Sequence, residues 1–95
     1  MLIEELLEKL VADGGSDLHI SSGLPPAARI DGKLTRYDYP PLSPDDVETL
    51  LFPMLSNEQR RTLEQNWELD FSYGIEGLSR FRVNFYKDNF NCSII

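Results

Sequence analysis

Residues 78–87, Leu-Ser-Arg-Phe-Arg-Val-Asn-Phe-Tyr-Lys, alternate between apolar and polar side chains, and this alternation constrains the fold most. Successive side chains of a β-strand point to opposite faces, so the apolar set shares one face and the polar set the other. The apolar set is Phe81, Val83 and Phe85, and the polar set is Arg80, Arg82, Asn84 and Tyr86. One predicted strand therefore anchors a core and presents two neighbouring arginines on its other side. These arginines face either solvent and nearby carboxylates, or a bound anion.

Length, charge and cysteine content narrow the possible classes of function. A chain of 95 residues forms one small domain. Nine basic and sixteen acidic residues give a net charge of -7, which argues against nucleic-acid binding and against docking on anionic lipid. Cys92 is the single cysteine, so no internal disulfide is expected. No apolar run approaches a membrane span and the N-terminus is acidic, so we expect a cytoplasmic protein.

Apolar residues recur at helical spacing in three segments, which predicts three α-helices. The first helix carries its apolar face on Ile3, Leu6, Leu7, Leu10 and Val11. The second starts at Ser43, and Pro53 is expected to end or kink it. A capping box from Ser56 to Gln59 starts the third helix. The apolar side of the third helix is formed by Leu63 and Trp67.

A hairpin is predicted around Asp31-Gly32-Lys33, between two short apolar segments. A two-residue Asp-Gly turn would pair Ile30 with Lys33. A three-residue loop would instead pair Ile30 with Leu34 and keep these two apolar residues on the same face. We therefore favour the three-residue loop.

Further strands are predicted over residues 16–22 and 69–73, and the second of these turns at residues 74–77 into the arginine-bearing strand. Asn89-Phe90-Asn91 is interpreted as a break before a last strand that begins at Cys92. The order is one helix, three strands, two helices and two or three antiparallel strands, which predicts an α+β domain. Because the chain ends inside an apolar run, we expect the natural protein to continue beyond it.

The residues offer little catalytic chemistry of their own. One histidine and one cysteine, far apart in the chain, do not indicate a metal site. The phosphate-binding loop pattern is absent, since Ala27 stands where its first glycine is required and Leu34 follows Gly32-Lys33 in place of Ser or Thr. The chain is therefore not expected to hydrolyse a nucleotide alone.

Five motifs carry a more specific signal when they are taken together and in order. They are Gly15-Ser16-Asp17-Leu18-His19-Ile20, Gly23-Leu24-Pro25-Pro26, Arg29-Ile30-Asp31-Gly32, Glu68-Leu69-Asp70-Phe71-Ser72-Tyr73 and Gly77-Leu78-Ser79-Arg80-Phe81-Arg82-Val83-Asn84. This combination resembles the N-terminal part of the type IV pilus retraction ATPases, which belong to the secretion ATPase superfamily. The resemblance runs from the first helix to about Lys87.

The resemblance implies that residues 1–95 form a single PAS-like N-terminal domain, with an antiparallel sheet and helices packed on one side of it. A RecA-like motor domain is expected downstream of these residues. Such motors assemble into homo-hexamers, in which the N-terminal domain packs against the motor domain of a neighbouring subunit and moves with its nucleotide state. The resemblance implies ATP with Mg in the parent, none bound by this chain alone, and a cytoplasmic position at the pilus base on the inner membrane.

The resemblance also implies roles for individual residues. Arg80 and Arg82 match family positions that approach the nucleotide, while an interface salt bridge remains the alternative for both. Asp17, His19 and Arg29 match signature positions, and we assign them structural or interdomain hydrogen bonds. No catalytic residue is expected in this chain. The alternative function is a free-standing, non-catalytic PAS-like module that binds a ligand or a partner.

Overall fold

Three α-helices and six β-strands follow one another in the predicted order, in a computed structural model that describes residues 2–86 and 91–95. The helices are α1 (Ile3–Ala12), α2 (Pro44–Leu51) and α3 (Asn57–Asn66), and a 3-10 helix (Phe52–Met54) follows α2. The strands are β1 (Asp17–Ile20), β2 (Ala27–Ile30), β3 (Lys33–Arg36), β4 (Glu68–Ile75), β5 (Ser79–Tyr86) and β6 (Asn91–Ile94). The predicted α+β class is confirmed. Positions 89 and 90 of the predicted break lie outside the described residues.

The described strands form one antiparallel sheet in the order β3-β2-β1-β6-β5-β4. The last strand in the sequence, β6, lies in the middle of the sheet between β1 and β5. Its residue Ile94 is opposite Leu18 on one side and opposite Val83 on the other. The strands before α2 and the hairpin after α3 are therefore joined into one sheet by the last described segment of the chain.

The helices cover one face of this sheet, as predicted. Phe81, Val83 and Phe85 are buried on that face and belong to the same core as the apolar residues of α1, α2 and α3. The Phe85 ring lies 6.1 Å from the ring of Phe52, centroid to centroid. None of the helices in the described ranges is long and apolar enough to cross a bilayer.

The predicted starts of α2 and α3 are confirmed, but the prediction that Trp67 lies on the apolar side of α3 is wrong. The side chains of Ser43 and Ser56 accept hydrogen bonds from backbone N–H groups three residues later, and a reciprocal side-chain bond completes a capping box at each. Pro53 lies in the 3-10 helix that ends α2. Trp67, however, adopts a left-handed conformation (φ 61°) that ends α3, so its side chain leaves the apolar face and is 58% exposed. Val11, predicted to be buried, is 42% exposed.

The three-residue loop predicted for the first hairpin is also wrong. Ile30 is opposite Lys33, and Asp31 and Gly32 both adopt positive φ, at 51° and 78°. This is the two-residue turn whose twist matches that of the adjoining strands. Every residue of β3 is exposed, so apolar matching of Ile30 with Leu34 has no core to favour it. The second hairpin also differs slightly, because β4 continues to Ile75, inside the predicted turn.

A polar contact fixes the end of α1 against the segment after β3. The Tyr37 hydroxyl donates a hydrogen bond to Asp13 Oδ2 at 3.0 Å, and Lys9 Nζ lies 3.7 Å from the same oxygen. Lys9 Nζ also lies 5.0 Å from the centroid of the Tyr37 ring. Burial, together with the hydrogen bond to Asp13, raises the pKa of Tyr37 to about 12.

This contact predicts a loss of stability at high pH. Folding raises the pKa of Tyr37 from its ordinary value of 10.0 to about 12, so above pH 10 the unfolded chain releases the proton first and the free energy of unfolding falls. We expect Tyr37→Phe to cost about 1 kcal/mol at pH 8, where the hydrogen bond is intact. We expect this difference from the wild type to shrink between pH 10 and 12. Urea denaturation of both proteins across this range tests the prediction, and a constant difference would contradict it.

Candidate functional site on the open face of the sheet

All five residues singled out from the sequence project from the sheet surface opposite the helices, which we call the open face. Directly opposite residues of an antiparallel pair share a face, so the strand registers determine its membership. Asp17 is opposite Arg29, and the backbone of Arg82 exchanges two 2.8 Å hydrogen bonds with that of Ile95. The described polar members of the open face include Asp17, His19, Arg29, Arg36, Glu68, Asp70, Ser72, Arg80, Arg82 and Asn84.

The open face differs in charge from the rest of the chain. Its described residues include four of the nine basic residues of the protein but only three of its sixteen acidic residues. The basic residues are Arg29, Arg36, Arg80 and Arg82, and the acidic residues are Asp17, Glu68 and Asp70. On the described part of this face the basic side chains therefore outnumber the acidic ones by one, whereas the chain as a whole carries a net charge of -7.

Asp17, His19 and Arg29 form a compact polar cluster on β1 and β2. Asp17 Oδ2 is hydrogen-bonded to His19 Nε2 and lies 3.5 Å from Arg29 Nε. The Ser16 hydroxyl donates a 2.6 Å hydrogen bond to the other oxygen of Asp17. Arg29 also donates a long 3.4 Å bond to the carbonyl of Gly32, in the hairpin turn.

The cluster stabilises the charged form of Asp17. Partial burial is the largest single influence and raises the pKa of this carboxyl. The hydrogen bonds from Ser16 and His19 and the charges of His19 and Arg29 together outweigh it, so the Asp17 pKa is lowered below its usual value. The Asp17 carboxylate therefore links β1 and β2 and forms an ion pair with Arg29.

On the other side of β6, Arg82 is held by a carboxylate of the neighbouring strand. Its Nε and Nη2 atoms donate to the two oxygens of Asp70 at 3.2 and 2.7 Å. The hydrogen bond from Arg82 is the main cause of a lowered pKa for Asp70. The pair is largely exposed, with 74% of the Arg82 side chain open to solvent, so it contributes little to stability.

Arg80 has a different environment from Arg82, two residues away on the same strand. Its Nη1 donates a 2.9 Å hydrogen bond to the hydroxyl of Ser72, and its guanidinium lies over Gly74, the residue directly opposite. Among the described residues no carboxylate lies within ion-pair distance of Arg80. The positive charge of Arg80 is therefore not paired with any carboxylate in residues 2–86 and 91–95.

The open face holds its charged residues in two groups rather than one. The cluster around Asp17 and the arginines of β5 are separated by β6, which places their strands about 10 Å apart. On β5, two residues after Arg82, the side-chain oxygen of Asn84 is buried and has no hydrogen-bond partner among the described residues. Within the same ranges, no group of three His, Cys, Asp or Glu side chains converges as a metal site would require.

The residues that hold the two arginines are not evident from the sequence pattern alone. Asp70, Ser72 and Gly74 alternate along β4 and face the arginines across the hairpin. The predicted strand over residues 69–73 turns into the arginine-bearing strand, so the sequence indicates that these two strands pair. The predicted turn at residues 74–77, however, does not give the register that brings Ser72 and Gly74 to Arg80.

Comparison with known proteins identifies close relatives over nearly the whole chain. The chain is 43% identical over 89 residues to the type IV pilus retraction ATPase PilT of Pseudomonas aeruginosa, a match that covers 94% of this chain and 26% of PilT. It is 37% identical over 90 residues to the type IV pilus ATPase PilU of the same organism, covering 94% of this chain and 24% of PilU. The chain thus spans about a quarter of the length of these relatives. No protein-family model matches it.

A solved structure shows the same fold. The pilus retraction motor PilT, crystallised with bound ADP, matches the chain with a TM-score of 0.86 and 35% identity. The match covers 99% of this chain and 28% of that protein. Together with the two sequence matches, it confirms the resemblance predicted from the five motifs. The chain is therefore homologous, over nearly all of its length, to the N-terminal quarter of the type IV pilus retraction ATPases.

Proposed function

We propose that these 95 residues act as the N-terminal domain of a hexameric motor ATPase that powers type IV pilus retraction, and that the domain couples nucleotide state to movement. The observation that carries the proposal is the 43% identity to PilT over 94% of the chain. The PilT structure with the same fold contains bound ADP, which supports a nucleotide-binding parent. A cytoplasmic position at the pilus base belongs to the same proposal.

In this proposal the open face meets the motor domain of a neighbouring subunit. Its arginines supply positive charge, and a nucleotide held by that motor domain presents phosphoryl oxygens, which accept hydrogen bonds from guanidinium groups. The residues fit this role because Arg80 is exposed, belongs to a strand paired on both sides and has no carboxylate partner among the described residues. Asp17, His19 and Arg29 supply interdomain or structural hydrogen bonds on the same face.

The chemistry of ATP hydrolysis is assigned to the motor domain. ATP with Mg, bound there, supplies the phosphoryl group and the metal charge that its transfer requires. This chain carries no phosphate-binding loop, so its part is to approach the nucleotide from outside the motor domain. Arg80 and Arg82 would then stabilise the negative charge that develops during transfer.

Steady-state ATP turnover tests the proposal in the longer protein that carries this domain. With both Arg80 and Arg82 replaced by alanine, turnover is expected to fall while the assembly remains intact. If turnover is unchanged, the arginines do not contact the nucleotide, and the open face serves only as an interface.

A further inference from the structure

Gly74 is an unexpected residue in the interior of β4. Glycine weakens a strand, because it has no side chain to pack and loses the most conformational freedom on folding. The φ of Gly74 lies outside the left-handed region, so the backbone conformation does not require glycine. Glycine at such a position often marks the close approach of another group.

The group that approaches Gly74 is the guanidinium of Arg80. A Cβ atom at position 74 would lie 3.3 Å from Arg80 Nη2 and 3.4 Å from its Cζ, so the guanidinium would have to move by a few tenths of an ångström. The hydroxyl of Ser72 holds the same group at 2.9 Å. The absence of a side chain at Gly74 leaves room for the guanidinium of Arg80, and the hydrogen bond to Ser72 holds it in one orientation.

Arg82 repeats this arrangement two residues further along β5, with one difference. Each arginine is directly opposite a small residue, Gly74 or Ser72, and bonds to the next open-face residue of β4. For Arg82 that residue is Asp70, a carboxylate, and for Arg80 it is the neutral Ser72. The same geometry therefore pairs one guanidinium with a carboxylate and leaves the other without a carboxylate partner among the described residues.

We propose that Ser72 and Gly74 are positioning residues that hold Arg80 flat against β4 with its charge uncompensated, so that it can bind a phosphoryl oxygen. The inference rests on the proposed function and adds a division of labour to it. Arg80 makes the main anion contact, and Arg82, which is paired with Asp70, contributes less to it. Beside Arg80, a shallow concavity of about 530 Å³ at the end of the hairpin gives access from solvent. Its lining includes one carboxylate, that of Glu76.

A matched pair of substitutions at position 72 compares a charged with a neutral partner for Arg80, while Arg82, directly opposite position 72, is bonded to Asp70. Ser72→Asp places a carboxylate where the Ser72 hydroxyl accepts a hydrogen bond from Arg80. Ser72→Asn places a neutral acceptor there, on a side chain of the same size as aspartate. In the longer protein we expect Ser72→Asp to reduce ATP turnover about tenfold, because the guanidinium is then neutralised. We expect Ser72→Asn to retain turnover within about twofold.

Substitution of Gly74 separates positioning from stability. Gly74→Val introduces a residue that favours strands and displaces the guanidinium. We expect the Tm of the 95-residue chain to stay the same or rise, while ATP turnover of the longer protein falls. If Gly74 had only a structural role, its substitution would change the Tm and the ATP turnover in the same direction.

Anion binding is measured directly on the 95-residue chain. The NMR signals of the arginine Nε–H groups are followed during titration with sodium pyrophosphate. We expect the Arg80 signal to shift in the wild type and in Ser72→Asn, and not in Ser72→Asp. The Arg82 signal and that of Arg61, exposed on α3, should shift less. Equal shifts of Arg80 and Arg61 would overturn the inference.

The outcomes distinguish this inference from the function on which it rests. If Arg80→Ala leaves ATP turnover unchanged, the proposed nucleotide role of Arg80 fails, and the positioning role fails with it. If Arg80→Ala lowers turnover but Ser72→Asp and Gly74→Val do not, the nucleotide role stands and the positioning inference is wrong.

Discussion

Replacing both Arg80 and Arg82 by alanine is expected to reduce ATP turnover of the longer protein by about 100-fold. Arginines that meet a transferring phosphoryl group supply charge where the transition state develops it. Their loss should therefore lower kcat more than it raises KM for ATP. Because Arg82 is already bonded to Asp70 through two atoms, we expect the single change Arg80→Ala to cause most of the loss.

Two controls make this result specific. Arg61→Ala removes an exposed arginine from α3, away from the open face, and should leave turnover unchanged. The mass of each assembly in solution must match that of the wild type, since a lost subunit contact would also lower turnover. Full activity of the double variant in an intact assembly would contradict the nucleotide role.

Phe85→Ala is expected to cause the largest loss of stability, about 3–5 kcal/mol. The Phe85 side chain is fully buried on β5 and packs near the ring of Phe52. Removing it leaves a cavity that the surrounding helices and strands only partly fill. For a domain of this size the loss corresponds to a fall in Tm of about 20 °C, measured by thermal denaturation of the 95-residue chain.

Neighbouring substitutions separate burial from position in the sequence. Phe85→Leu keeps most of the apolar volume and should cost less than about 1.5 kcal/mol. Tyr86→Ala changes the next residue of β5, whose side chain is exposed on the open face, and should cost less than about 1 kcal/mol. If the free energy of unfolding of Phe85→Ala lies within about 1 kcal/mol of the wild-type value, the core does not depend on this strand as described.

Local patterns in the sequence predict the elements of this domain well. The alternation around Arg80 and Arg82 predicts a strand with one buried face, and the structure buries Phe81, Val83 and Phe85 as expected. The capping residues of α2 and α3 are predicted equally well, because each capping hydrogen bond joins residues only three positions apart. Such features depend on neighbours in the sequence, which is why a single sequence suffices to predict them.

Where burial does not determine the local conformation, the apolar pattern of the sequence predicts it wrongly. The first hairpin lies at an exposed edge of the sheet, so turn geometry at Asp31 and Gly32 sets its register instead of apolar pairing. Trp67 continues the helical spacing of Leu63, yet its left-handed backbone ends α3 first. The PAS-like label remains a prediction.

The candidate site was predicted only in part. The motifs singled out its residues, but their placement on a common face depends on β6, which pairs with both β1 and β5. Pairing between strands some seventy residues apart is not encoded in local alternation. The distinct environments of Arg80 and Arg82 depend likewise on the register of β4, which decides which arginine meets Asp70.

The central claim is that this domain belongs to a retraction motor, and the mass of the native protein tests it most directly. An antibody against the domain detects the protein in a lysate of the source cell. We expect a species several times larger than the 10.9 kDa of these residues, since they match only 26% of PilT. A species at 10.9 kDa would contradict the claim and would instead support a free-standing module that binds a partner through its open face.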